Sequence, residues 1–128
     1  MSARTADIGG ESFQIDRRGD IAVVTPSPAI EQMPENLVEQ AAQMVLAPLR
    51  EGRLTGLVVD LSQVSYFGSV FISFLLRCHL MVKKQGAELV LAGVSDRVRE
   101  LLRLTSLDTL WALYASKAEA LEALGGSD

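Results

Sequence analysis

The run from Gly56 to Gly93 constrains the fold more than any other part of the chain. Leu57-Val58-Val59 is apolar, rich in β-branched residues and too short for a helix, with Gly56 and Asp60 as its bounds. Such a run reads as a strand buried on both faces. A polar connection from Asp60 to Ser69 follows. Phe71, Phe74, Leu75, Cys78 and Val82 then recur at spacings of three and four, so a helix begins at Ser69. Lys83 and Lys84 occupy its last turn and Gly86 supplies the stop. Leu89-Val90-Leu91-Ala92-Gly93 is a second buried strand. A right-handed strand–helix–strand crossover puts the loop before the helix at the carboxyl end of the first strand, where α/β folds place their sites.

The remaining elements are read around that unit. Residues 1–11 mix Ser, Thr, Gly and charges without periodicity and are expected to form a flexible N-terminal segment. Phe13 to Arg18 alternates apolar and polar residues at its start, and Arg18-Gly19-Asp20 is a turn. Ile21 to Thr25 is a strand, so the two are expected to pair as an antiparallel hairpin. Pro26 and Pro28 end it. Pro34 fits a first helical turn, with Val38, Ala41, Ala42, Val45 and Leu49 at helical spacing and Pro48 placed to kink or end that helix. Ser95 is an N-cap for a third helix carrying Val98, Leu101, Leu102 and Thr105 on its inner face. Leu110 to Tyr114 reads as a short last strand. Lys117 to Leu124 is a closing helix stopped by Gly125-Gly126, with residues 125–128 as a flexible tail. The expected fold is α/β: one domain over residues 12–124, with a mixed, mostly parallel sheet, an N-terminal antiparallel hairpin and about four flanking helices.

Composition narrows the function classes. A chain of 128 residues holds one core. A net charge of −4 argues against a nucleic-acid binder, which carries a basic patch. Arg97, Arg99 and Arg103 read as the solvated side of a helix. The single cysteine, Cys78, excludes an internal disulfide and sits in an apolar stripe, as a buried and inert thiol. No signal peptide and no apolar run long enough for a membrane span is present, which makes a soluble cytoplasmic protein the default expectation.

Catalytic chemistry needs converging titratable groups, and few are offered. His79 is the one histidine. It follows Cys78 directly, and neighbours in a helix point about 100° apart, so the two make a poor nucleophile–base couple. One histidine and one cysteine fall short of the four ligands of a structural zinc site. Gly9-Gly10 and Gly125-Gly126 follow no strand and do not resemble a phosphate-binding loop. Asp60 has no second carboxylate near it in sequence, and Asp60 with Ser62 reads as a strand-end cap. No metal, no cofactor and no enzymatic activity are expected. Ser69 stands apart, at the first turn of the helix or its cap. It either caps the helix or is a regulatory phosphorylation site, where a phosphate would add roughly −1.5 to −2 charge at a helix N-terminus.

At this point the residues resemble a known family. Asp60-Leu61-Ser62-Gln63-Val64-Ser65-Tyr66-Phe67-Gly68-Ser69, the apolar helix, Lys84 through Leu91, and Val98 through Leu107-Asp108 look like the STAS domain of bacterial anti-sigma factor antagonists and sulfate-transporter tails. The resemblance covers Phe13 to Leu124. It implies a mixed sheet flanked by helices, and a job in protein–protein contact. In antagonists of this kind the helix beginning near Ser69 and its preceding loop dock onto a serine-kinase anti-sigma factor. Phosphorylation of a serine there breaks the complex, and a serine phosphatase restores it. The usual motif reads Asp-Ser-Ser-Gly; the aligned residues here are Gly68, Ser69, Val70 and Phe71. The customary target is the second serine, and Val70 cannot accept phosphate. Some stress-complex scaffold relatives modify the residue directly after the aspartate, which corresponds to Ser69.

The resemblance therefore implies a non-catalytic interaction domain in bacterial transcription signalling: an anti-sigma factor antagonist whose phospho-switch is displaced to Ser69 or lost. The expected partner face comprises Ser65, Tyr66, Gly68, Ser69, Val70, Phe71, Ser73 and Arg77. Phe71 is either a partner-facing anchor or an inward residue of the 71/74/75/78 stripe. The alternatives are a scaffold subunit that assembles with like domains, through homodimers or larger STAS–STAS complexes, and a small-ligand module binding beside the helix N-terminus.

Overall fold

In the computed structural model, which describes residues 2–8, 11–28, 34–47, 54–65 and 68–125, five strands form one sheet in sequence order. They are β1 (Ser2–Ile8), β2 (Glu11–Arg18), β3 (Ile21–Pro26), β4 (Gly56–Asp60) and β5 (Glu88–Ala92). The first three pair antiparallel, while β3–β4 and β4–β5 pair parallel. The mixed sheet and its N-terminal hairpin are as expected. Among the described residues four α-helices flank it: α1 (Val38–Val45), α2 (Ser69–Lys84), α3 (Asp96–Leu104) and α4 (Lys117–Ala123).

Period-two alternation divides the core into two layers. Leu57 and Val59 of β4, Leu89 and Leu91 of β5, and Phe13 and Ile15 of β2 point to one face. There they meet Val38, Ala41, Ala42 and Val45 of α1, the α2 stripe, and Val98 and Leu102 of α3. Ile21, Val23, Val58, Val90 and Ala92 point to the other face, where Ala120, Leu121 and Leu124 belong to or adjoin α4. All five residues of β4 are buried, as the continuous apolar run requires of a central parallel strand.

Three local expectations are revised. The segment read as a flexible lead-in contains β1, an edge strand paired with β2 from Ser2↔Arg17 to Ile8↔Glu11. Its sequence has no apolar alternation because its order comes from main-chain pairing. The two residues between Ile8 and Glu11 are glycines, the dipeptide that short hairpin connections favour. The proposed last strand shrinks to one parallel bridge, Leu91↔Leu113, made by Leu91 N–H to Ala112 O (3.0 Å) and Tyr114 N–H to Leu91 O (2.9 Å). The first helix opens with a 3-10 turn, Glu35–Leu37, behind Pro34. Pro48 and Leu49 lie outside the described residues. Ser95 caps α3 as expected, its hydroxyl accepting Val98 N–H at 3.2 Å.

Candidate functional site

The loop from β4 to α2 leaves the carboxyl end of the sheet in a locked geometry. Asp60 is 8% exposed, and its Oδ1 accepts Ser62 N–H at 3.0 Å, a side-chain turn that reverses the chain. Leu61 N–H donates to Ala92 O of β5 at 2.8 Å, and Val64 N–H donates to Leu61 O at 2.9 Å. Leu61 and Val64 are buried and peg the loop to the core, while Ser62, Gln63 and Ser65 face solvent. The strand-end cap read at Asp60 and Ser62 is this turn.

Sequence alone did not single out Gly93 in this lock. It has φ +64°, and a Cβ there would stand 2.6 Å from Asp60 Oδ1 and 2.9 Å from Ser62 N. The β4 loop thus packs directly on the end of β5. The signal was available: a glycine ending an apolar strand marks a close backbone approach.

Helix α2 starts with Gly68 as its N-cap, in extended conformation, and no side chain caps it. Ser69 is the first helical residue and is exposed, so the capping role weighed for it is not the one it takes. A serine caps from the position before the helix, and Gly68 holds that position. The first turn holds no acidic residue. Ser73 and Arg77 follow Ser69 at four-residue intervals and are also exposed, forming one stripe. Arg77 Nε lies 2.7 Å from Glu39 Oε1 on α1, which brings a carboxylate from the neighbouring helix beside that stripe. Val70 is half-buried against the core and Gly68 half-exposed. Tyr66 lies outside the described residues.

Phe71 leaves the expected surface set. It is 0% exposed and stacks on Phe74 with ring centroids 5.8 Å apart, while Phe74 stacks on Phe13 of β2 at 5.2 Å. Burial of a large aromatic ring in the main core outweighs any role as an external anchor. The inward alternative is the one realised.

Cys78 and His79 diverge, as adjacent helical residues must. Cys78 is fully buried, and desolvation pushes its thiol far above its ordinary range. His79 is half-buried and accepts a hydrogen bond at Nδ1 from Trp111 Nε1–H at 3.0 Å, the rings meeting edge to face. Among the described residues no cluster of three or more His, Cys, Asp or Glu side chains could hold a metal ion. No helix among them is long and apolar enough to cross a membrane.

Comparison with known proteins agrees with this architecture. The family model described as "STAS domain" matches residues 13–120. An anti-sigma-factor antagonist (STAS) domain protein from Planctomyces limnophilus is 32% identical, with a TM-score of 0.71 over 88% of this chain and 96% of its own. An anti-sigma factor antagonist from Mycobacterium paratuberculosis is 25% identical, with a TM-score of 0.66 over 97% and 95% of the two chains. An RsbS structure from Moorella thermoacetica, at 21% identity, shares the fold with a TM-score of 0.75 over 87% and 95%. A search of curated proteins found no match. The matched span, the mixed sheet and the loop–helix unit after Asp60 lead to one conclusion: the chain belongs to the STAS domain family.

Proposed function

We propose that this domain works without catalysis, as an anti-sigma factor antagonist that binds a serine-kinase anti-sigma factor in bacterial transcription signalling. The binding face comprises Ser65, Gly68, Ser69, Val70, Ser73 and Arg77, and Tyr66 belongs to the same segment. The observation that carries the reading is the state of Ser69. Its side chain is exposed on the first turn of a helix that no side chain caps, at the rim of a loop pinned to the sheet. A serine hydroxyl in that position is accessible to a kinase. A phosphate on it would meet the positive end of the α2 dipole, so modification leaves the domain folded. For a partner, the same phosphate adds charge at the centre of the contact face, which ejects an acidic or apolar surface. Ser69 is thus the displaced position of the switch, with a serine phosphatase to reset it.

Binding tests this directly. Serine-kinase anti-sigma factors from the same genome are titrated with the wild-type protein, Ser69→Glu and Ser73→Arg. A saturable complex weakened about tenfold or more by each substitution is the expected result. No complex with any such kinase, or a complex indifferent to both substitutions, contradicts it.

STAS–STAS assembly is the second reading. It is favoured by β1, which ends the strand order and so offers an edge for pairing. Elution as a large oligomer with no kinase affinity would put this scaffold role first.

A further inference from the structure

The two edges of the sheet differ. At the β5 edge, Leu91 N–H donates to Ala112 O at 3.0 Å and Tyr114 N–H donates to Leu91 O at 2.9 Å, so the segment after α3 covers the strand. At the other edge, β1 pairs with β2 alone and ends the strand order. It runs from Ser2 to Ile8 without a proline, and each of its residues has one partner on β2, so no bulge bends it away.

The registers fix which main-chain groups of β1 face outward. Arg18 and Ile21 close a two-residue turn with Gly19 at φ +64°, a tight hairpin whose closing pair is hydrogen-bonded. Such pairs recur at every second residue, so Asp16 and Gln14 bond to β3. Phe13, Ile15 and Arg17 then turn their N–H and C=O groups to β1, where their partners are Ala6, Arg4 and Ser2. The N–H and C=O groups of Ala3, Thr5 and Asp7 therefore point away from the sheet. Thr5 is the middle residue of the strand. A two-fold axis perpendicular to the sheet at Thr5 overlaps two β1 strands along their whole length. It sets Thr5 opposite Thr5 and Ala3 opposite Asp7, all of them outward-bonding residues. Each of these pairs exchanges two hydrogen bonds, about six in all.

We propose that β1 is a homodimer junction, in which a second copy of this chain pairs antiparallel at Thr5 and continues the sheet. The inference rests on the assembly reading above and deepens it by naming the partner and the register. Pairing along one short strand buries little surface, so the dimer forms at roughly micromolar concentration or above. β2 and β3 stand between β1 and β4, about 14 Å of sheet, which sets the junction apart from the β4–α2 loop.

The test is sedimentation of the full chain from about 1 μM to 1 mM, with amide hydrogen exchange at both ends of that range. Reversible dimerisation is expected. The amides of Ala3, Thr5 and Asp7 gain protection as the dimer forms, while those of Arg4 and Ala6, bonded to β2, are protected in the monomer as well. Thr5→Pro deletes the central outward N–H and none of the β1–β2 bonds, which an unchanged melting temperature checks. It is expected to weaken the dimer about tenfold or more. A monomer at every concentration overturns this proposal and the assembly reading together. A dimer in which Ala3, Thr5 and Asp7 gain no protection, or in which Thr5→Pro associates as wild type does, overturns the β1 junction and leaves assembly through another surface.

Discussion

The Cβ that Gly93 lacks would stand 2.6 Å from Oδ1 of Asp60, the oxygen that accepts Ser62 N–H and turns the chain out of β4. The loop between β4 and α2 is therefore shaped by the neighbouring strand as much as by its own sequence. Gly93→Ala combines this overlap with a positive φ of 64° that an L side chain rarely adopts. It is expected to lower unfolding stability by about 2 kcal/mol or more. Chemical denaturation of the variant checks this; a midpoint equal to wild type would show that the lock has slack.

Gly68 is the converse case. Its φ of −119° suits any residue, and a Cβ there meets nothing within 4 Å. Gly68→Asp returns the acidic residue usual in the family motif, and it supplies α2 with a side-chain N-cap beside the positive end of its dipole. A gain of a few tenths of a kcal/mol is expected in thermal or urea unfolding. A loss would mean that the loop needs glycine for a reason other than space.

Phe71 belongs to the core, joined through Phe74 to Phe13. Phe71→Ala is expected to cost about 3–5 kcal/mol of stability. Ser73→Arg, on the exposed stripe of the same helix, is expected to change stability by less than about 0.5 kcal/mol. Unfolding curves of the two variants separate a core residue from a surface one. Equal effects would contradict the assignment of the two faces.

These contrasts show which parts of the molecule were legible in the sequence. The β4–α2–β5 unit was plain because its periodicities switch cleanly between buried strand and amphipathic helix, and Ser95 announced its helix by the cap it makes. The edge strand β1 was not, since main-chain pairing leaves no apolar pattern in a strand such as Ser2–Ile8. Phe71 could be placed on the stripe but not turned inward, because residue spacing at the first helical turn does not fix what lies opposite. The Trp111–His79 bond and the Arg77–Glu39 pair join residues far apart in the chain, and nothing local encodes them. Ser69 was legible as a residue at the start of α2, while its place inside the helix rather than at the cap depended on where the loop ended.

Burial of Cys78 gives a pH dependence with a definite sign. Its thiol has an ordinary pKa of 9.0 and is raised by desolvation in the fold. A raised folded pKa contributes stability that is complete below pH 9 and lost as the unfolded chain deprotonates above it. Above that point stability is expected to fall by about 1.4 kcal/mol per pH unit from this group. Urea unfolding at pH 8 to 10 measures the slope, with Cys78→Ala as the control that removes this contribution whatever its own offset. Identical slopes in the two proteins would contradict the assignment. The same burial predicts that Cys78 resists thiol reagents until the protein unfolds.

The most direct test of the account is the mass of the intact protein after incubation with ATP and serine-kinase anti-sigma factors from the same genome, for wild type and Ser69→Ala in parallel. The account predicts a single added phosphate on the wild type and none on Ser69→Ala, with the phosphorylated form no longer bound to the kinase. A phosphate that persists in Ser69→Ala, or no phosphate on the wild type with any of those kinases, would contradict Ser69 as the switch.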